Sequence, residues 1–313
     1  MKLLFYTAVN KKYEHFIPIY CYFALRSEKK SLVEVGVQNK KRVEKENEAV
    51  LRILRNRFGN RIKLTELDFE GILPGAVRFI NEPVMSNTCK YVYIGDIDIL
   101  ILDDKIVERH LNNMSDYDVK FSNVIRRESK MNRLSGLHFA PTEVQYPLPN
   151  MRGINYNKET SKVGADENVL YKIMKRKGYM VKREMSFRPT HGIHMRYKSP
   201  PFGKRRDHES VKMKFKEIKD DDVYCPWDGL EKKVYRKRFL DEMYKDSFRE
   251  MYFDMDIKAR NMINVLENAC LNRFGDYAKE SYDHILKNTN REKEAARSYT
   301  KRFIKKAISY IIH

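Results

Sequence analysis

Asp96 and Asp98 are the residues in this chain whose types and spacing best suit chemistry. They lie in Tyr91-Val-Tyr-Ile-Gly-Asp-Ile-Asp-Ile-Leu-Ile-Leu102. A short apolar strand, Tyr91 to Ile94, runs into the acids, and a second apolar run, Ile99 to Leu102, follows at once. Carboxylates at i and i+2 of an extended chain point to one side. Two like charges held that close between apolar flanks repel each other, and a hard divalent cation between them removes the repulsion. Gly95 lets the backbone bend and a ligand approach closely. A D-x-D alone is common, and the competing reading is two surface aspartates in a turn. Position at the end of a buried strand favours the cation.

The elements that must place this pair can be read from periodicity. Leu3 to Tyr6 reads as a strand ending at Thr7-Ala8-Val9-Asn10, and His15 to Arg26 as a helix. Leu32 to Val37 is strand-like, Arg42 to Arg57 helical, and Ile62 to Leu67 a strand; Pro74 to Met85 is helical in part. Strands alternating with helices predict an α/β fold with a mostly parallel sheet, whose ligands gather at the strand C-terminal ends. Thr7, Asn10, Asp96 and Asp98 all fall at such ends. Beyond the acids, Leu134 to Ala140 reads as a strand with small residues at Ser135 and Gly136. A helix opens at Gly164-Ala-Asp-Glu-Asn168 and runs to about Lys177, its apolar face carrying Val169, Leu170, Ile173 and Met174. Tyr179 to Phe187 reads as a strand leading into Arg188-Pro-Thr-His-Gly-Ile-His194. From about Leu230 the pattern is mostly helical. The expected division is residues 1–225 as one α/β domain and 226–313 as a basic helical region.

Length and composition bound the partners. The 313 residues suffice for one large domain or a domain with an appendage, and 42% hydrophobic with 12% aromatic content supports a packed core. Lys plus Arg number 62 against 43 Asp plus Glu, a net charge of +19, which implies an anionic partner. Cys21, Cys89, Cys225 and Cys270 form no C-x-x-C pair and read as reduced thiols of a cytoplasmic protein. No stretch is apolar enough to span a bilayer, so membrane contact is expected to be peripheral, at the inner face. The segment Arg291 to His313 carries seven cations against two anions. A helical stripe of Tyr299, Phe303, Ile304, Ala307, Ile308 and Ile311 stands mostly opposite its Lys and Arg residues. That fits an interfacial helix on an anionic membrane, or a helix packed on the core with a solvated basic face.

The order of these features resembles the GT-A glycosyltransferases, the glycogenin and lipopolysaccharide galactosyltransferase group above all. The features are a first strand ending in Thr7-Ala8, Tyr13 soon after, an arginine-bearing helix (Gly75-Ala-Val-Arg-Phe-Ile80), then a strand running into Asp96-Ile97-Asp98. Over residues 2 to 200 the resemblance implies a Rossmann-like fold with a helical C-terminal extension. It implies transfer of a hexose from a nucleotide-diphosphate sugar to a glycan or lipid-linked glycan acceptor. In that family the D-x-D carries Mn²⁺ on the donor diphosphate. A serine–glycine strand faces the sugar, an acidic pair opens the next helix, and a distal histidine completes the metal site. Here Ser135-Gly136, Asp166-Glu167, and His191 or His194 match in order. In place of the family's distal H-x-x-G-x-x-K-P-W stands Thr190-His-Gly-Ile-His194.

Each position carries a second, structural reading. Tyr13 stacks on a nucleobase, with Thr7 and Asn10 bonding its edge or the ribose, or these are strand-end polar groups and a surface aromatic. Arg78 pairs with a phosphate or holds an acid, or lies on a solvated helix face. Asp166 is a good N-cap and Glu167 suits a first helical turn, which explains both without catalysis; otherwise one is a general base or the pair positions the donor sugar. Mn²⁺ accepts mixed carboxylate and imidazole ligands more readily than Mg²⁺. A metal-dependent nucleotidyltransferase also uses paired aspartates, but Thr7 to Lys12 lacks the glycines of a phosphate loop. A non-enzymatic nucleic-acid-binding protein would suit the charge. The cations, however, are spread along the chain without a helix-turn-helix, zinc or RNA-binding signature, so no nucleic-acid partner is expected.

Overall fold

The computed structural model describes residues 2–128, 131–157, 164–179, 185, 188–195, 229–230 and 232–270. They belong to two compact units, Met1–His191 and Gly192–His313. The boundary expected near residue 225, most of the strand expected over 179–187, Cys225 and the basic segment 291–313 lie outside the described residues.

The first unit is built on a five-stranded, mostly parallel sheet. Its strands are β1 (Leu3–Val9), β2 (Leu32–Val37), β3 (Ile62–Glu66), β4 (Tyr91–Ile94) and, after the short β5 (Ile99–Ile101) and the β6 (Ile125–Glu128)–β7 (Met131–Leu134) hairpin, β8 (His138–Pro141). The order is β3-β2-β1-β4-β8; only β8 is antiparallel to its neighbour. β1 is buried along its whole length, as an apolar run covered on both faces must be. Glu34 on β2 is a buried acid inside the sheet. Its fully buried carboxylate accepts from Thr65 Oγ1 (2.7 Å), Val84 N (3.0 Å) and Met85 N (2.8 Å), which replace lost water.

Helices flank this sheet. α1 (Ile17–Ser27) follows a 3-10 segment, Lys11–Phe16, and is buried from Ile17 to Leu25, matching its nearly all-apolar sequence. The single helix expected over 42–57 is two, α2 (Lys40–Glu46) and α3 (Glu48–Phe58), broken at Asn47; Asn39 caps α2 by accepting from Arg42 N at 2.9 Å. The expected helix over 74–85 shrinks to α4 (Val77–Ile80). α5 (Ile106–Asp116), not anticipated from the sequence, covers a stretch whose buried face is Ile106, His110 and Asn113. α6 (Thr142–Gln145) and α7 (Ala165–Arg176) complete the unit. Cys21 and Cys89 are buried free thiols.

The register decides where ligands can bind. Tyr6 pairs with Ile94, and Ile94 with His138. The residues after β1, the residues after β4 and the residues before the antiparallel β8 therefore all emerge at one sheet edge. That edge lies outside the strand C-termini where the strand order reverses, the usual ligand crevice of an open α/β sheet.

The second unit begins with a short strand, β9 (Gly192–His194), and includes three helices, α8 (Lys233–Met243), α9 (Asp246–Asp254) and α10 (Ile257–Cys270), as the sequence pattern past Leu230 anticipates. Phe239, Met243, Phe248, Met251, Ile263 and Leu266 form its core, with Tyr252 Oη bonded to Asn264 Oδ1 at 3.0 Å. Among the described residues no helix is long and apolar enough to cross a membrane.

Candidate active site

Asp96 and Asp98 follow β4 directly, and Gly95 N still bonds Tyr6 O (3.1 Å), extending the β1 pairing by one residue. Asp96 is partly open and Asp98 buried. Arg78, buried on α4, approaches Asp96 with Nη1 2.7 Å from Oδ1. Its Nη2 stands 3.7 Å from Asp166 Oδ2 and 3.5 Å from Gly136 O. Burial works against the guanidinium charge, but Asp96 and Asp166 outweigh it, so Arg78 stays firmly protonated. Of the readings open for Arg78, the structure shows it holding acids. The contact is to Oδ1 of Asp96.

Two glycines make this packing possible. A Cβ at Gly136 would stand 2.8 Å from Arg78 Nη2, and one at Gly75 would stand 2.5 Å from Asp166 Oδ2. Both backbones come close because no side chain intervenes.

The strand expected over 134–140 is interrupted at Ser135–Leu137, between β7 and β8. Asn123 shapes that interruption. Its Oδ1 accepts from Val124 N (2.6 Å) and Ser135 N (2.9 Å), which fixes the amide orientation. Nδ2 must then donate, to Ser135 O (3.1 Å) and to His138 Nδ1 (3.2 Å). His138 consequently carries its proton on Nε2, and burial lowers its pKa from 6.5 to about 3.

Asp166 does not cap its helix. Gly164, at φ 77°, takes the N-cap position, and Asp166 and Glu167 both lie in the first turn of α7. Glu167 Oε1 accepts from Gly136 N (3.1 Å) and pairs with Arg126 Nη1 (3.1 Å), while Oε2 faces Arg133 Nη1 (3.1 Å). Burial lifts its carboxyl above the ordinary range and Arg126 opposes the shift. With both oxygens engaged, Glu167 ties α7 to the Gly136 strap. Asp166 is the more open of the two acids.

At the end of β1, Thr7 Oγ1 and Asn10 Oδ1 are buried polar atoms without a hydrogen-bond partner among the described residues. Such orphans are costly in a folded protein unless a ligand meets them. Ala8 packs with Phe69 and Val77, and Ile97 is buried between the two acids, so each supports the backbone. Tyr13 is partly exposed, its ring 6.4 Å from that of Phe16.

The distal histidines part company. His191 Nδ1 lies 3.0 Å from Asp103 Oδ2, and its Nε2 lies 2.6 Å from His110 Nε2. His191 thus has a partner at each ring nitrogen, Asp103 at Nδ1 and His110 at Nε2. Ser122 Oγ, 2.7 Å from His110 Nδ1, continues the chain. Both ring nitrogens of His191 are thus already in contact with protein groups, where the sequence offered His191 or His194 as a metal ligand. Burial lowers the pKa of both histidines. The His191 carbonyl accepts from Leu102 N (2.7 Å) and Asp103 N (3.1 Å), locking this loop to the chain just beyond the acids. His194 lies on β9 in the second unit and is partly buried.

Sequence reasoning missed Asn123, the three arginines 126, 133 and 188 around Ser135–Glu167, and the Asp103–His191–His110 chain. Arg188 bonds Ser135 Oγ from Nε at 3.1 Å. Its charged side chain just before Pro189, at the end of an expected strand, was the one available signal; the others sit in stretches with no periodic pattern.

No protein-family model and no curated protein matches this chain. Solved structures give distant likenesses. The galactosyltransferase LgtC, in the form of an active-site mutant, is 16% identical over 46% of this chain and 58% of its own, with a TM-score of 0.34. The bifunctional IspDF from Campylobacter jejuni is 9% identical over 61% and 52%, TM-score 0.31. The mannosyltransferase PcManGT from Pyrobaculum calidifontis, in complex with GDP-Man and Mn²⁺, is 10% identical over 95% and 84%, TM-score 0.37. The chain thus spans little more than half the length of LgtC and IspDF.

Proposed function

We propose that this protein is a metal-dependent glycosyltransferase that moves a hexose from a nucleotide-diphosphate sugar to a surface glycan of the lipopolysaccharide, O-antigen or capsule type. The observation that carries the reading is the Asp96–Asp98 pair at the switch point of the sheet. There Arg78 takes one oxygen of Asp96, and Gly136 is held against that ion pair. The donor set fits Mn²⁺, with Mg²⁺ second: carboxylates from Asp96 and Asp98 and an imidazole. With His191 bonded at both nitrogens, His194, three residues on, is the imidazole this reading assigns. The ion, when bound, neutralises the leaving diphosphate. Thr7 Oγ1 and Asn10 Oδ1 offer their unmet bonding capacity to the nucleoside, with Tyr13 beside it. Ser135 and Gly136, fixed by Asn123 and Glu167, form the floor under the sugar, and Asp166 faces it from α7. The basic segment 291–313 rests on an anionic membrane at the cytoplasmic face and brings the enzyme to a lipid-linked acceptor.

A panel of nucleotide sugars assayed by thermal shift with and without Mn²⁺ tests this reading. One donor should raise the melting temperature only with metal, and Asp96→Ala or Asp98→Ala should each abolish that response while leaving the unliganded protein folded. Unchanged calorimetric binding of nucleoside diphosphate with Mn²⁺ in both variants refutes it.

A further inference from the structure

Arg188 stands apart from the other arginines of the site. Arg78 is paired with Asp96, and Arg126 and Arg133 share Glu167. Arg188 is partly buried, yet it forms no ion pair with any described residue. Its Nε donates to Ser135 Oγ at 3.1 Å and Nη1 to Pro189 O at 3.2 Å; Nη2 has no protein partner among the described residues. Burial depresses its pKa, opposed by Tyr93, Asp96 and Glu167 and reinforced by Arg126. A largely desolvated cation with no direct ion pair is costly, because nearby acids offset its lost hydration only in part. Guanidinium presents a planar fork suited to phosphate and carboxylate oxygens, and here one arm of that fork is unused.

We propose that Arg188 binds an oxyanion of the substrate, seated above Ser135 and beside the Asp96 carboxylate. Resting on the glycosyl-transfer reading, this makes it the residue that receives a phosphate oxygen of the donor diphosphate. A carboxylate or phosphate on an acidic sugar offers the same chemistry from a second source. The serine bond aims the guanidinium, and the ion pairs of Arg78, Arg126 and Arg133 leave those groups already committed.

The test uses the full chain and the variants Arg188→Gln and Arg188→Lys. Binding of pyrophosphate, nucleoside diphosphate and unphosphorylated nucleoside is measured by calorimetry with Mn²⁺ over a salt series. Losing one charge-assisted hydrogen bond should weaken diphosphate and pyrophosphate binding about ten- to a hundredfold in Arg188→Gln. Nucleoside binding should be untouched, the salt dependence shallower, and Arg188→Lys intermediate. Unchanged diphosphate binding with an equal rise in KM for an acidic sugar, against none for its neutral counterpart, assigns the oxyanion to the second source. If both variants match wild type for every anion, or wild type binds none, the proposal is overturned. Pyrophosphate separates the two levels: wild type binding it through Arg188 but binding no nucleotide sugar would refute the glycosyl-transfer reading and leave the oxyanion site standing. Thermal unfolding of each variant, with Arg188→Lys retaining the charge, distinguishes lost binding from lost fold.

Discussion

His138 makes the stability of the first unit sensitive to acid. Its ring is fully buried and accepts a hydrogen bond at Nδ1 from Asn123, whose orientation two backbone N–H groups dictate. Burial disfavours the charged ring, so the pKa drops from 6.5 to about 3, and protonating Nδ1 would in addition set N–H against N–H. The unfolded chain takes up a proton below about 6.5 and the folded chain does not, so stability is full above that pH and falls as pH drops towards 3. For those two pKa values the loss at pH 5 is about 2 kcal/mol relative to neutral pH. His110 and His191, whose pKa values are also lowered by burial, act in the same direction. The perturbation is His138→Gln, which removes the titrating group. Urea unfolding followed by circular dichroism at pH 7.5, 6 and 5 should show wild type losing about 2 kcal/mol more than the variant between the extremes. The variant's own destabilisation cancels in this comparison. Equal losses in both proteins would show that His138 takes up its proton in the folded state, and would refute the Asn123 network as drawn.

Gly136→Ala places a methyl 2.8 Å from Nη2 of Arg78, whose guanidinium is held by Asp96 through Nη1. Turnover should fall about a hundredfold, as for a displacement near one ångström at a reacting centre, while the melting temperature changes little; a fully active variant refutes the packing argument. Deleting 291–313 should weaken sedimentation with anionic vesicles, by roughly 1 kcal/mol per cation at low salt, and should spare donor hydrolysis. Undiminished sedimentation would exclude the membrane role.

The first four strands of the sheet, the helices with strong apolar periodicity and the place of the D-x-D at a strand end are legible in the residue order alone. These are local properties: β1 and β4 are continuous apolar runs, and Val169, Leu170, Ile173 and Met174 repeat at helical spacing and are all buried. The convergence of strand ends on one edge is legible too, because an alternating α/β chain sends them there. Which polar groups are already engaged is settled only by folding. His191 and His194 are the same residue type three positions apart, and only a partner 81 residues away in sequence, His110, shows that His191 is already bonded at both nitrogens. Asp166 has the residue type of a helix cap, but Gly164, in the left-handed region, takes that place. Arg78 needs the folded distance to Asp96 before a clamp can be told from a solvated face. Asn123 sits in a stretch with no periodicity, and its role exists only where two strand ends meet. Hydrogen bonds and ion pairs between distant residues leave no repeat in the sequence, since each depends on one pair of atoms brought together by the whole fold.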